Sequence, residues 1–252
     1  MSLPVPDLAA LIAVLLGAAI AGFTTGFAGF GTGLVASGLW FHALPAPMVP
    51  PLVALASVVG QIAGLLKARN AIAWSHATPY LIGGALGVPL GVLALSVTSP
   101  FLLRTSVGLF LVVYSLRELL GRSRRSIGAW GGRGADGLVG VGGGFLGGFA
   151  GLSAPLPVIW LQLRGGPSEQ QRAVYQPFNL IILSLASLGM FVSGQIDRPT
   201  LVVAALCLPV TLVGAWIGAH VYTGVSERTF RIVVFGLLLA SGAILIGQAF
   251  LG

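Results

Sequence analysis

From Leu8 to Leu66 the chain carries no aspartate, glutamate, lysine or arginine, and long apolar runs resume between the few charges that follow. With hydrophobic residues at 56% and charged residues at 8%, the folded surface cannot face water on every side, so much of it must face hydrocarbon. Segments of about 20 apolar residues cross a bilayer as helices. The runs are filled by Leu, Ala, Val and Gly and lack the ten-residue apolar/polar alternation of a membrane β-barrel. The expected fold class is an all-α integral membrane protein, whose helices satisfy their backbone groups internally.

The formal net charge of +7 does not point to nucleic acid. Its Lys and Arg residues fall between apolar runs, with no aromatic-interleaved basic patch, so a positive-inside distribution accounts for them. The lone Cys207 can form neither an internal disulfide nor a cysteine metal site, and burial is its expected role. His42, His76 and His220 lie near span ends without HxxxH or HExxH spacing, and no metal or cofactor is expected. All six carboxylates, Asp7, Glu118, Asp136, Glu169, Asp197 and Glu227, also fall near span ends, which disfavours a mid-membrane proton relay. No nucleophile elbow or membrane-protease motif occurs, so the chain is not read as an enzyme. The opening MSLPVPD lacks a basic region, and the first apolar run is expected to be retained. Several of Trp40, Trp74, Trp130, Trp160 and Trp216 lie near expected interfaces, where anchoring is the default.

The phrase GFAGFG at 26–31 returns as GFAGLS at 148–153, a shift of 122 positions. The correspondence continues: Gly87 and Gly91 answer Gly214 and Gly218, and Ser99 and Arg104 answer Ser226 and Arg231. Collinear matches over such a stretch indicate duplication. A first membrane repeat occupies 1–121, a basic linker 122–135 and a second repeat 136–252.

Three spans read plainly in each half, roughly 48–66, 76–97 and 100–120, then 173–193, 199–222 and 228–250. The opening element differs. As one helix, residues 8–41 would be about 51 Å long against a hydrocarbon core of about 30 Å, so the element must break or fold back. Glycines at 26, 29, 31 and 33 mark the break, as those at 142–144, 147, 148 and 151 do in the second half. If the broken element crosses once, the basic residues divide eight against five. If it returns, the second half is inverted, Arg164, Arg172, Arg228 and Arg231 move inside, Arg198 moves outside, and the division becomes eleven against two. The positive-inside bias favours the return. Each half is therefore expected to hold a broken or re-entrant helical element plus three transmembrane helices, in an inverted-topology repeat.

Broken helix is tolerated in a bilayer only where protein buries it or a wet cavity receives it. Two related breaks suggest a shared central cavity, into which restarting helices aim free N–H groups and partial positive charge, an arrangement suited to an anion. Thr32 is the expected cap of one half-helix and Ser153 of the other, with Pro155 accommodated in the first turn. The alternative is that these glycines only let helices pack closely. Gln176 and Asn179, three apart on one helix face, are the side-chain candidates for substrate contact, followed by Gln61; interhelical hydrogen bonding is the alternative use of all three. Thr24, Thr25 and Ser37 flank the first break and are expected to bond back within their own helices. Arg104 and Arg231, equivalent in the repeat, either draw an anion toward opposite vestibules or snorkel to headgroups.

GFAGFG with its charge-free flanks, the later GVGGGFLGGFAGLSAPLPV and the length of 252 residues resemble the TauE/SafE family of sulfite-exporter-like permeases. The first break departs from that pattern in lacking a proline and carrying Thr32. The resemblance implies a multi-pass protein of the bacterial inner (cytoplasmic) membrane that transports small sulfur-containing anions such as sulfite or organosulfonates, and it implies export. The function expected is secondary transport by alternating access at a site between the repeats; the alternative is a passive anion channel. Gly26, Gly29, Gly31, Thr32, Gly148, Gly151 and Ser153 would supply backbone and hydroxyl donors, with Gln176 and Asn179 orienting the head group. A small anion and membrane lipid are the expected partners, and the sequence leaves homo-oligomer formation open.

Overall fold

The computed structural model describes residues 8–67, 72–121, 126–128, 130–220 and 227–251, without the side chains of 63, 64, 66, 67, 227–231 and 251. Asp7, Arg69, Arg122, Arg124, Arg125 and Ser226, and the side chains of Lys67, Glu227, Arg228 and Arg231, lie outside the described residues. Among the described residues the chain is helical without strands: α1 (Leu8–Ala28), α2 (Thr32–Ala43), a 3-10 turn (Ala46–Met48), α3 (Val49–Lys67), α4 (Trp74–Val97), α5 (Pro100–Leu120), α6 (Gly132–Ala150), α7 (Pro155–Arg164), α8 (Ser168–Val192), α9 (Arg198–His220) and α10 (Glu227–Leu251). Among the described residues, six helices are long and apolar enough to cross a membrane: α1, α4, α5, α8, α9 and the 232–250 part of α10. Large apolar side chains such as Leu86, Leu93, Leu188 and Val213 point outward, as contact with hydrocarbon requires.

Both overlong elements break, and both fold back. Trp40, near the end of α2, donates its indole N–H to Val14 O in the first half of α1, at 2.9 Å. In the second half Trp160 of α7 donates to Asp136 Oδ1 near the start of α6, at 2.8 Å, and Arg164 Nη2 reaches Gly132 O at 2.8 Å. Each pair is therefore a helical hairpin. This corrects the reading of Trp40 as a candidate interface anchor, since its side chain is fully buried against α1.

The hairpins interlock with the opposite halves through glycine. A Cβ added to Gly22 or Gly26 of α1 would lie 2.2 Å from Thr211 O or 2.0 Å from Ala215 O of α9. Gly83 and Gly87 of α4 meet Gly137 O and Val141 O of α6 at 2.0 and 2.1 Å, and Gly144 of α6 meets Gly84 O at 2.1 Å. Lipid supplies no hydrophobic drive between helices, so such close backbone approach, with the dispersion contacts it permits, is what holds them. Exchanging the two halves turns the α1/α9 crossing into the α6/α4 crossing. The last helices, α5 and α10, pack antiparallel, with Phe101 at the start of α5 edge-on to Phe250 at the end of α10.

Hydrogen bonds also tie loops and helix ends across the chain: Ala73 N to Ala173 O, Ile127 N to Leu163 O, Arg117 to Gln162, His42 to Gln248 and Gln195 to Val92 O.

Candidate functional site

The first break occupies Gly29–Gly31. Gly29 (φ 82°) and Gly31 (φ 115°) take left-handed conformations that other residues enter only at a cost. A helix ending inside a membrane exposes its last carbonyls, and here those of Phe27, Ala28 and the adjoining Gly29 meet donors. Arg172 Nη2 donates to Phe27 O at 3.1 Å, Tyr175 OH to Ala28 O at 3.1 Å and Gln61 Nε2 to Gly29 O at 3.3 Å. The guanidinium also places positive charge at the negative end of the α1 dipole.

The helix that restarts is capped from behind. Thr32 N donates to Thr25 Oγ1 at 2.7 Å, and the two hydroxyls are themselves hydrogen-bonded. Thr32 is therefore the first residue of α2 and the recipient of a cap; the expectation that it caps the helix is corrected. Thr24 and Ser37 bond back to Ile20 O and Leu34 O as expected, whereas Thr25 does not.

The second break is built differently. Gly151 (φ 73°) ends α6, with Gly151 N on Gly147 O at 2.9 Å, the αL closure of a helix, and Leu152 N on Leu146 O at 3.1 Å. Pro155 opens α7 as expected. Ser153, however, does not cap α7: its hydroxyl donates to Asn179 Oδ1 of α8 at 3.0 Å, so that expectation is also corrected. Pro155 and Pro157 carry no N–H, so the first turn of α7 offers fewer amides than that of α2.

Between the breaks lies a cavity of about 20 Å³, room for about one water. Gly31 and Thr32 line it from one side, Gly151 and Ser153 from the other, and Asn179 from α8. Ser57 and Gln61, one turn apart on α3, complete the wall. Three buried polar atoms in this lining have no hydrogen-bond partner: Ser57 Oγ, Gln61 Oε1 and Asn179 Nδ2. Most buried polar groups are paired, and leaving one unpaired costs about 1–3 kcal/mol. Three such atoms converging on one space mark a place prepared for a polar guest.

The expected site residues divide into three groups. Gly31, Thr32, Gly151, Ser153 and Asn179 are brought together around the cavity. Gly29 and Gln176 meet beside it, where a Cβ on Gly29 would come 2.8 Å from Gln176 Nε2. Gly26 and Gly148 stand apart in the helix crossings, facing Ala215 O and Val88 O. Arg104 is half-buried in α5 and lines neither this cavity nor its vestibule. Sequence reasoning ranked Gln61 below its partners and missed Ser57, Arg172 and Tyr175. A signal for them was present, since Ser57 and Gln61 are four apart and Arg172, Gln176 and Asn179 recur on one helix face.

A wider vestibule of about 460 Å³ adjoins the cavity and shares Gly31 and Leu34 with it. Arg172, Gln171 and Tyr175 of α8 border it, facing Phe235 and Leu238 of α10.

A family model described as "Sulfite exporter TauE/SafE" matches residues 14–245. The chain is also 29% identical over 222 residues to a protein of Cupriavidus necator described as "Probable sulfite/organosulfonate exporter TauE", a match covering 85% of each chain. No solved structure matches.

Proposed function

Because the chain belongs to the sulfite exporter TauE/SafE family, we propose that it carries small sulfur oxyanions, sulfite or organosulfonates, out of the cell by binding them between two inverted repeats that open alternately to either side. It is a multi-pass protein of the bacterial inner membrane. The observation that carries the reading is the convergence of Ser57 Oγ, Gln61 Oε1 and Asn179 Nδ2, all unpartnered, on a cavity lined by both helix breaks. Asn179 and Ser57 offer donors to an oxyanion. The first turn of α2 adds its free amides at Gly33 and Leu34 together with the positive end of its dipole.

Inversion is supported by the hairpins. The end of α2 joins the end of α10 through His42 and Gln248, while the end of α7 joins the end of α5 through Gln162 and Arg117, and α5 and α10 are antiparallel. That arrangement corresponds to the eleven-against-two division of basic residues counted from the sequence, whose richer side the positive-inside bias assigns to the cytoplasm. A cavity with room for about one water favours a carrier that occludes its cargo over an open pore.

The test is efflux from proteoliposomes loaded with sulfite. Saturable flux, inhibited from the trans side by unlabelled anion and silent in electrical recording of single openings, is the expected result. Conductance that rises linearly with concentration would instead make the protein a passive anion channel.

A further inference from the structure

The vestibule is far larger than sulfite needs, and its walls are chemically divided. Arg172 and Gln171 stand on one side; Val234, Phe235 and Leu238 of α10 line the other. Arg172 is half-buried and has no carboxylate within ion-pair distance among the described residues, while the Glu118 carboxylate in the same vestibule is held by Arg117. Arg172 donates to Phe27 O, bonds Tyr175 and lines the vestibule. A planar fork beside an open space suits an oxyanion, which it can grip with paired hydrogen bonds. The opposite wall offers nothing to an oxyanion and suits an alkyl or aryl group.

We propose that this vestibule docks an anion bearing an apolar tail, an organosulfonate whose head group is read by Arg172 and whose tail is covered by Val234, Phe235 and Leu238, so that tailed sulfonates bind in preference to sulfite. The inference rests on the transport reading above and ranks the anions within it by their tails. From Arg172 the face of α8 continues through Gln176 to Asn179, so a head group released inward meets the central cavity two helical turns further on.

Two readouts separate this inference from the transport reading. Binding is followed through the unfolding temperature of the purified protein, reported by a thiol-reactive dye on buried Cys207, as straight-chain sulfonates from methane- to hexanesulfonate are added. Flux is measured separately in phosphatidylcholine vesicles. The expected result is an apparent affinity that tightens by roughly threefold to fourfold per methylene. Phe235→Ala and Val234→Ala should flatten that dependence, and Arg172→Gln should weaken every member of the series by roughly tenfold to a hundredfold while keeping the slope. Because the slope is a ratio within each variant, loss of stability does not imitate its loss. Sulfite flux with affinity independent of tail length overturns the vestibule proposal and leaves the carrier intact; graded binding without flux does the reverse. A slope that survives in both α10 variants reflects partition into detergent or lipid and overturns the proposal. So does a slope that disappears when phosphatidylglycerol replaces phosphatidylcholine, which would give the pocket to an anionic lipid.

Discussion

Trp160 donates its indole N–H to the carboxylate of Asp136, tying the returning limb of the second hairpin to its first limb at 2.8 Å. Asp136 lies 122 positions after Val14, the residue whose carbonyl receives the Trp40 indole at 2.9 Å. The two broken elements thus fold back with the same kind of tie, but the second uses a carboxylate. Asp136 Oδ1 also accepts from Tyr80 OH of α4 at 2.6 Å and pairs with Arg164 at 3.0 Å, joining three helices at one point. A hydrogen bond to a charged group contributes about 1.5–3 kcal/mol and a neutral one about 0.5–1.5. Trp160→Phe should therefore cost more stability than Trp40→Phe, both rings being kept. Unfolding followed by Cys207 labelling checks this, and equal losses would show that the charged node adds nothing.

The glycines separate into two kinds that substitution should distinguish. Gly148→Ala places a Cβ 2.4 Å from Val88 O, whereas a Cβ on Gly236 of α10 meets nothing within 4 Å. Backbone cannot yield as a side-chain tip can, so Gly148→Ala should force α4 and α6 apart and lower the unfolding temperature. Gly236→Ala should be neutral or stabilising by about 0.5–1 kcal/mol, since alanine loses less backbone entropy in a helix. A Gly148→Ala protein as stable as wild type would mean that the crossing is softer than its geometry indicates.

That division explains what the sequence could and could not reveal. In GFAG the first glycine packs and the second breaks: Gly26 and Gly148 face neighbouring backbones, while Gly29 and Gly151 adopt positive φ. The overlong apolar element made the breaks legible, because helix length against bilayer thickness is a local argument. Which glycine does which depends on the helix opposite, and no local pattern carries that. The cap from Thr25 to Thr32 was hidden for the same reason, since seven residues separate the pair and only the turn at Gly29–Gly31 brings them together. Arg172 enters the sequence reading as one of the charges counted for topology; its place on the Gln176–Asn179 face is legible from spacing alone. Trp40 offered no comparable sign, because a tryptophan near a span end suits the interface until the chain is seen to return.

Asn179 provides the sharpest test of the central cavity. Its Oδ1 receives Ser153 and its Nδ2 is unpartnered, so Asn179→Asp keeps the acceptor for Ser153 and replaces the free donor with negative charge. Like charges brought together at a site of low dielectric cost several kcal/mol. The apparent affinity for sulfite should fall on the order of 100-fold, with insertion retained and the unfolding temperature lowered, because Asn179 is fully buried and a buried carboxylate costs free energy. Asn179→Asp protein that transports with wild-type affinity would remove this residue, and with it the cavity, from the anion path.

A last expectation concerns pH at the start of α9. Asp197 precedes α9 and accepts from Thr200 N at 2.9 Å and Thr200 Oγ1 at 2.6 Å. Those two bonds, the side-chain one first, hold its carboxyl below the ordinary value of 3.8. A carboxylate depressed by folding adds stability that is fully present above its unfolded pKa, about 3.9, and is lost as pH falls through the folded value. At neutral pH Asp197→Ala should cost about 1 kcal/mol, the usual loss on removing a helix N-cap. The gap between wild type and variant should narrow only below about pH 4 and should not depend on sulfite. A gap that stays constant into acid would assign the loss to altered packing around the substituted methyl group, with no part for the carboxylate.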